Sequence, residues 1–230
     1  MAMSKKPSSH SLQSVLLALA FSTTFGTSTN ALSAEKQAVA IAIHGGAGTI
    51  RQELMSPEIE AEYRAILTKA ILAGHSILTT GGSSRDAVIA AISMMEDSPL
   101  FNAGYGAVFN HEGNIELDAS IMEGRSLNAG AVASLTRIKS PITLANAVLN
   151  HSPHVMLVGP GAEIFAQQQG IDLVSNDTFK TEHRRLQLER IIAQEQSVAR
   201  LPELSNPVLL KYQFDEKKLG TVGAVAIDQA

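Results

Sequence analysis

The sequence predicts an α+β protein with mixed or antiparallel strand pairing. Two patterns point there. Short apolar, β-rich runs are scattered along the chain rather than alternating with helices at a fixed spacing. Between them lie longer segments whose apolar residues recur at helical period. The composition allows a packed core: 45% of the 230 residues are hydrophobic and 17% are charged, the reverse of what a disordered chain carries. That length suits one large domain or two small ones.

The elements follow in order. Residues 1–34 carry a basic start (Lys5, Lys6), a short apolar stretch over residues 15–21 (VLLALAF) and a small-residue end at Asn30-Ala31-Leu32-Ser33-Ala34. This is the layout of a secretory signal peptide cleaved after Ala34 or Ala31. Seven apolar residues are too few to span a bilayer, which takes about 20. The expected localisation is export, to a periplasm. The segment holds two lysines and no acid, so removing it takes the formal charge from −4 to −6.

Residues 38–43 (AVAIAI) form a continuous apolar run before His44-Gly45-Gly46 and read as a strand buried on both faces. Ser56-Pro57 starts a helix, with Ser as N-cap and Pro in the first turn. Ile59, Tyr63, Ile66, Leu67, Ala70, Ile71 and Ile77 make its apolar face, and Gly81-Gly82 ends it. Ser83 with Asp86 resembles a capping box for a second helix running to about Glu96.

Three short strands are expected next, over residues 104–110, 114–122 and 129–136. His111-Glu112-Gly113 would turn the first two into a hairpin. Glu116 and Asp118 alternate with Ile115, Leu117 and Ala119, which places both carboxylates on one strand face as buried groups, for pairing or for acid–base work. Ser140-Pro141 opens a helix to about Asn150. Residues 154–158 read as a strand, 162–169 as a helix and 181–193 as a charged amphipathic helix. Residues 195–219, with Pro202 and Pro207, read as a loop or tail. Residues 221–227 (TVGAVAI) read as a buried strand.

Several chemistries are excluded. The chain has no Cys, hence no disulfide, thiolate nucleophile or Cys-ligated metal. Its acidic balance lacks the excess of Lys and Arg that nucleic-acid binding takes. His44-Gly45-Gly46-Ala47-Gly48 suggests the oxyanion loop of an esterase, but the required G-x-S-x-G is absent. No complete G-x-G-x-x-G follows a strand, and there is no G-K-[ST]. His151 and His154 flank Pro153 without metal-ligand spacing and read as a turn into a strand. The Gly-rich segment Asn102-Ala103-Gly104-Tyr105-Gly106 is weak by itself, since glycine serves any close backbone approach.

Six blocks in order, HGGAGTI, SPLFNAGYGAVF, ELDASIMEG, AGAVA, SPHVMLVGPGAE and GTVGAVAID, cover nearly all of residues 38–229. Together they resemble the isoaspartyl peptidase and plant-type L-asparaginase family of N-terminal-nucleophile (Ntn) hydrolases. The resemblance implies an αββα Ntn-hydrolase sandwich, incomplete here: residues 35–220 as an α-subunit-like part and 221–230 as the start of a β subunit. It implies self-cleavage at Gly220–Thr221, with Gly220 supplying the attacked carbonyl and Thr221 becoming the nucleophile. A Thr hydroxyl is weak without a base. The freed α-amine, a group that ordinarily titrates at about pH 8, can be that base. Gly-Thr rather than Asp-Thr at the cut favours this branch over the glycosylasparaginases.

By the same resemblance Asn102 positions the nucleophile, and a sodium ion sits in a loop of backbone carbonyls from Met95, Glu96, Ser98, Phe101, Ala103 and Tyr105. Carbonyl oxygens suit a hard cation. No cofactor is implied for catalysis. The implied partners are a small-molecule or dipeptide substrate, with no nucleic acid, no membrane after signal removal, and a dimer of αβ units. Family members continue well past the threonine, where their oxyanion donors and substrate clamp lie. Substrate-binding residues are therefore expected beyond Ala230, and the chain as given is expected to be inactive alone. The alternatives are a non-catalytic α-like fragment that pairs with a separate β-like chain, and an unrelated small-molecule binder using the Gly-rich loops.

Overall fold

A computed structural model describes residues 38–46, 55–199 and 220–230. Residues 1–34, read above as a signal segment, Ala47-Gly48 of the first Gly-rich block and residues 200–219 lie outside the described residues. The rest is α+β, as expected.

Strand β1 (Ala40–His44) pairs antiparallel with β5 (Gly223–Ile227), from Ala40 opposite Ile227 to His44 opposite Gly223. A second sheet has the order β2 (Leu117–Met122), β3 (Ala129–Leu135), β4 (Met156–Val158). In it β2 and β3 run antiparallel and β3 and β4 parallel, so the pairing is mixed. The β2–β3 register shifts between Leu117 and Ala119, where Ser134 takes φ +53° and its amide donates to Asp118 Oδ1 at 2.8 Å.

Helix α1 (Pro57–Thr79) starts as the sequence indicates: Ser56 Oγ accepts the Ile59 amide and Pro57 occupies the first turn. Helix α2 (Ser84–Glu96) has its capping box, with Asp86 N–H donating to Ser83 Oγ at 3.1 Å and the Ser83 hydroxyl donating to Asp86 at 2.7 Å. Helices α3 (Pro141–His151), α4 (Gly159–Gln168) and α5 (Glu182–Ala199) complete the set. Phe101, Ile115, Leu135, Ile142, Leu144 and Phe179 are fully buried at the centre of the core.

Four expectations are corrected. Residues 104–110 do not form a strand. Gly104 at φ +50° and Gly106 wind a 3₁₀ turn, and the hairpin reduces to a single bridge between Phe109 and Ile115. The runs at 38–43 and 221–227 are not buried on both faces. In β1 and β5 exposed and half-buried residues alternate, and Val225 is 68% exposed. One face of that sheet packs on helices and the other has no cover among the described residues. Glu116 and Asp118 share a face but are exposed, because that face looks away from the core. Finally, α5 runs on to Ala199 through residues read as loop, since Glu195 and Gln196 are good helix formers.

Candidate functional site

The pairing of β1 with β5 sets the site. His44 lies opposite Gly223, so Gly45 and Gly46 run on beside Val222, Thr221 and Gly220. The His44 Nδ1–H donates to the Thr221 carbonyl at 3.0 Å, which assigns the proton to Nδ1. Thr221 itself is exposed and Gly220 half-buried. A fixed carbonyl beside a solvent-facing side chain leaves the hydroxyl free to turn. At the far end of β5, Asp228 accepts the Ser84 amide at 2.7 Å. That amide is one of the donors a helix N-terminus leaves without an intrahelical partner, and a carboxylate suits it. The amides of Ser84 and Ala230 hold the Asp228 carboxyl below its ordinary value.

A trough of about 1150 Å³ runs between the two sheets. Thr221, Asn102, Glu96 and the outward carboxylates Glu116 and Asp118 all line it. The structure thus brings Thr221 and Asn102 to one concave surface. Asn102 Oδ1 accepts the Val108 amide at 3.0 Å, which fastens its loop across the turn. Glu116 is occupied with Asn110 Nδ2 at 2.8 Å. Asp118 accepts the Ser134 amide, so each of these carboxylates has a hydrogen-bond partner.

The loop from α2 to the 3₁₀ turn (Gly104–Gly106) is held from three sides. The Tyr63 hydroxyl donates to the Leu100 carbonyl at 2.7 Å, and its ring meets Phe101 edge-on at 5.4 Å. From α5, Arg184 Nε donates to the Gly106 carbonyl at 2.8 Å. On the third side, Glu96 accepts the Ser140 hydroxyl at 2.6 Å and the Ile142 amide at 2.9 Å, tying α2 to the start of α3. Burial pushes the Glu96 carboxyl up to about 7, against the lowering effect of those two bonds.

Glycine is needed where this loop closes. A Cβ on Gly104 would stand 2.3 Å from the Glu96 carbonyl oxygen, and one on Gly106 2.2 Å from that of Phe101. Of the six carbonyls expected to hold sodium, those of Glu96 and Phe101 thus pack directly on glycine. The Met95 carbonyl accepts the Ser98 amide at 3.2 Å and that of Ala103 accepts the Gly106 amide at 3.1 Å.

Tyr63 and Arg184 were not singled out by the sequence as site residues, and His44 stood in the first Gly-rich block with no role of its own. Tyr63 counted as one more apolar position, and Arg184 was hidden in a charged helix. An aromatic with a polar tip on an apolar face is the signal that could have found the first.

The asparaginase family profile matches residues 37–230. The chain belongs to the asparaginase family. Relatives within it include an isoaspartyl peptidase/L-asparaginase of Xenopus laevis, 43% identical over 82% of this chain and 55% of that protein. An isoaspartyl peptidase of Salmonella typhimurium is 44% identical over 82% of this chain and 58% of its own length. A plant-type L-asparaginase of Pyrococcus furiosus is 40% identical over 83% and 60%. The chain therefore spans little more than half the length of these relatives. Of the six blocks quoted above, SPLFNAGYGAVF forms the loop after α2, ELDASIMEG carries β2, and GTVGAVAID is β5 with its approach.

Proposed function

We propose that the chain is the nucleophile-bearing part of an isoaspartyl peptidase/L-asparaginase of Ntn-hydrolase type. The observation that carries this is the position of Gly220–Thr221. The bond sits just before β5 in a family member, with Thr221 exposed on the trough that Asn102 also lines. Two separate sheets facing one another across that trough support the αββα sandwich reading.

In self-cleavage the Thr221 Oγ attacks the Gly220 carbonyl carbon. The C–N bond breaks, the hydroxyl proton passes to the Thr221 nitrogen, and an ester joins Gly220 to Oγ. Water then hydrolyses the ester, leaving a Gly220 carboxylate and a free Thr221 amine. No Cβ shields the Gly220 carbonyl, which favours close approach. The His44 bond to the Thr221 carbonyl keeps the backbone still while Oγ swings.

In turnover the freed amine takes the Oγ proton as Oγ attacks the side-chain carbonyl of asparagine or of a β-aspartyl dipeptide. Ammonia or an amino acid leaves, and water releases aspartate. Asn102, fastened by Val108, positions the nucleophile.

The carbonyls of Met95, Glu96, Ser98, Phe101, Ala103 and Tyr105 fit a sodium ion by chemistry, since neutral oxygens suit a hard monovalent cation. Such an ion would stiffen the loop that carries Asn102.

Intact-mass spectrometry of the expressed chain, with Thr221→Ala beside it, tests the reading. The expected result is a split at Gly220–Thr221 that the alanine variant abolishes. A split that persists in Thr221→Ala would overturn the assignment of the nucleophile.

A further inference from the structure

A second cavity, about 560 Å³, lies on the other side of Asn102. One face of α5 forms its wall: His183, Arg184, Gln187, Arg190 and Ile191 recur at helical spacing and all line it. Opposite stand Ile59 and Tyr63 of α1 and the apolar start of the loop, Leu100 and Phe101. Gly45, Gly46 and Gly220 close the end nearest the scissile bond.

The charges of α5 are unequally matched. On its outer side Arg185 is paired with both Glu182 and Glu189. On the cavity side no carboxylate among the described residues pairs with Arg184 or Arg190. Arg184 is only 8% exposed and gives its Nε to the Gly106 carbonyl and an Nη to Gln187, both neutral acceptors. A guanidinium buried without a counter-charge is costly. Burial first, and then the charges of Arg184 and Arg190, hold the His183 imidazole below its ordinary value. An anion entering the cavity would relieve all three groups, and apolar walls beside them suit a ligand with an apolar body.

We infer that this cavity is a carboxylate-binding subsite that takes an apolar amino-acid residue by its free α-carboxylate. Resting on the function proposed for Thr221, its occupant is the leaving amino acid of a β-aspartyl dipeptide, whose carboxylate meets Arg190 and Arg184 while its side chain lies against Tyr63 and Ile59. The site adds selection for dipeptides with an apolar second residue.

Two measurements separate this inference from the proposed activity. Calorimetric titration of the chain with N-acetyl-L-leucine and with N-acetyl-L-leucinamide reads the cavity without hydrolysis. The acid is expected to bind about tenfold tighter than the amide, and Arg190→Gln, at an exposed position, to bring the two within about twofold with an unchanged circular dichroism spectrum. Equal affinities, no binding of either probe, or a preference that survives Arg190→Gln would each overturn the subsite. The split at Gly220–Thr221, read by intact-mass spectrometry, tests the proposed function. Acid preference without a split leaves the subsite and sinks that function. A split with equal affinity for the acid and the amide does the reverse.

Discussion

Glu96 joins the last turn of α2 to the first of α3 as an acid that is only 4% exposed. Its folded value of about 7 stands above the 4.5 of an ordinary glutamate, so the fold holds this proton more tightly than the unfolded chain does. The stability gained is complete below the lower value and is lost as pH rises through the upper one. The chain is therefore expected to have a higher urea midpoint at pH 5 than at pH 8, and Glu96→Gln to flatten that difference while keeping both bonds to α3. A drop of the same size in the variant would assign the pH dependence elsewhere. Glu163 behaves in the opposite sense. Burial would raise its carboxyl, but bonds from Thr136 and Arg137 outweigh this and hold it below the ordinary value. Neither role could be read from the sequence, where each is one Glu in a helix. What separates them is the partner supplied by a distant segment: a neutral hydroxyl for one, a guanidinium for the other.

Among elements, β3 and α3 touch backbone to backbone. A Cβ on Gly130 would stand 2.1 Å from the Ala145 carbonyl oxygen and 2.5 Å from the Leu149 nitrogen. Gly130→Ala is therefore expected to cost about 1–3 kcal/mol or more, since helix backbone cannot give way as a side-chain tip can. Gly124→Ala, which meets nothing within 4 Å, is the control and should stay within about 0.5 kcal/mol. Denaturant midpoints compare them, and equal midpoints would mean α3 lifts freely. The helices were legible because local signals define them: Ser56-Pro57, the Ser83–Asp86 box and Ser140-Pro141 all stand where helices begin. The segment 104–110 misled because glycine and β-rich residues suit both a strand and a turn. Contact with the Glu96 and Phe101 carbonyls decided for the turn, and no local pattern carries that information. Thr221 and Asn102 were legible as a resemblance, whereas the cationic face of α5 became visible only once α1 and the loop stood opposite it.

Across the whole molecule, the sheet of β1 and β5 leaves an apolar surface, with Val225 68% and Ile227 59% exposed. Val225→Lys is expected to shift the unfolding midpoint little and to reduce self-association measured by light scattering, since it puts a charge on an open strand. Unchanged scattering would mean that association runs through another surface. The same sheet holds a further consequence. While the Gly220–Thr221 bond is whole, β5 finds β1 as part of one chain, at a high effective concentration. The proposed cut would make everything from Thr221 onward a separate polypeptide. Among the described residues its contacts would be the five-residue ladder to β1, the His44 bond to the Thr221 carbonyl, the Asp228 bond to α2 and the packing of β5 on that helix. Thr221 would thus become part of a bound partner of its own scaffold, and those contacts would add to whatever holds it there.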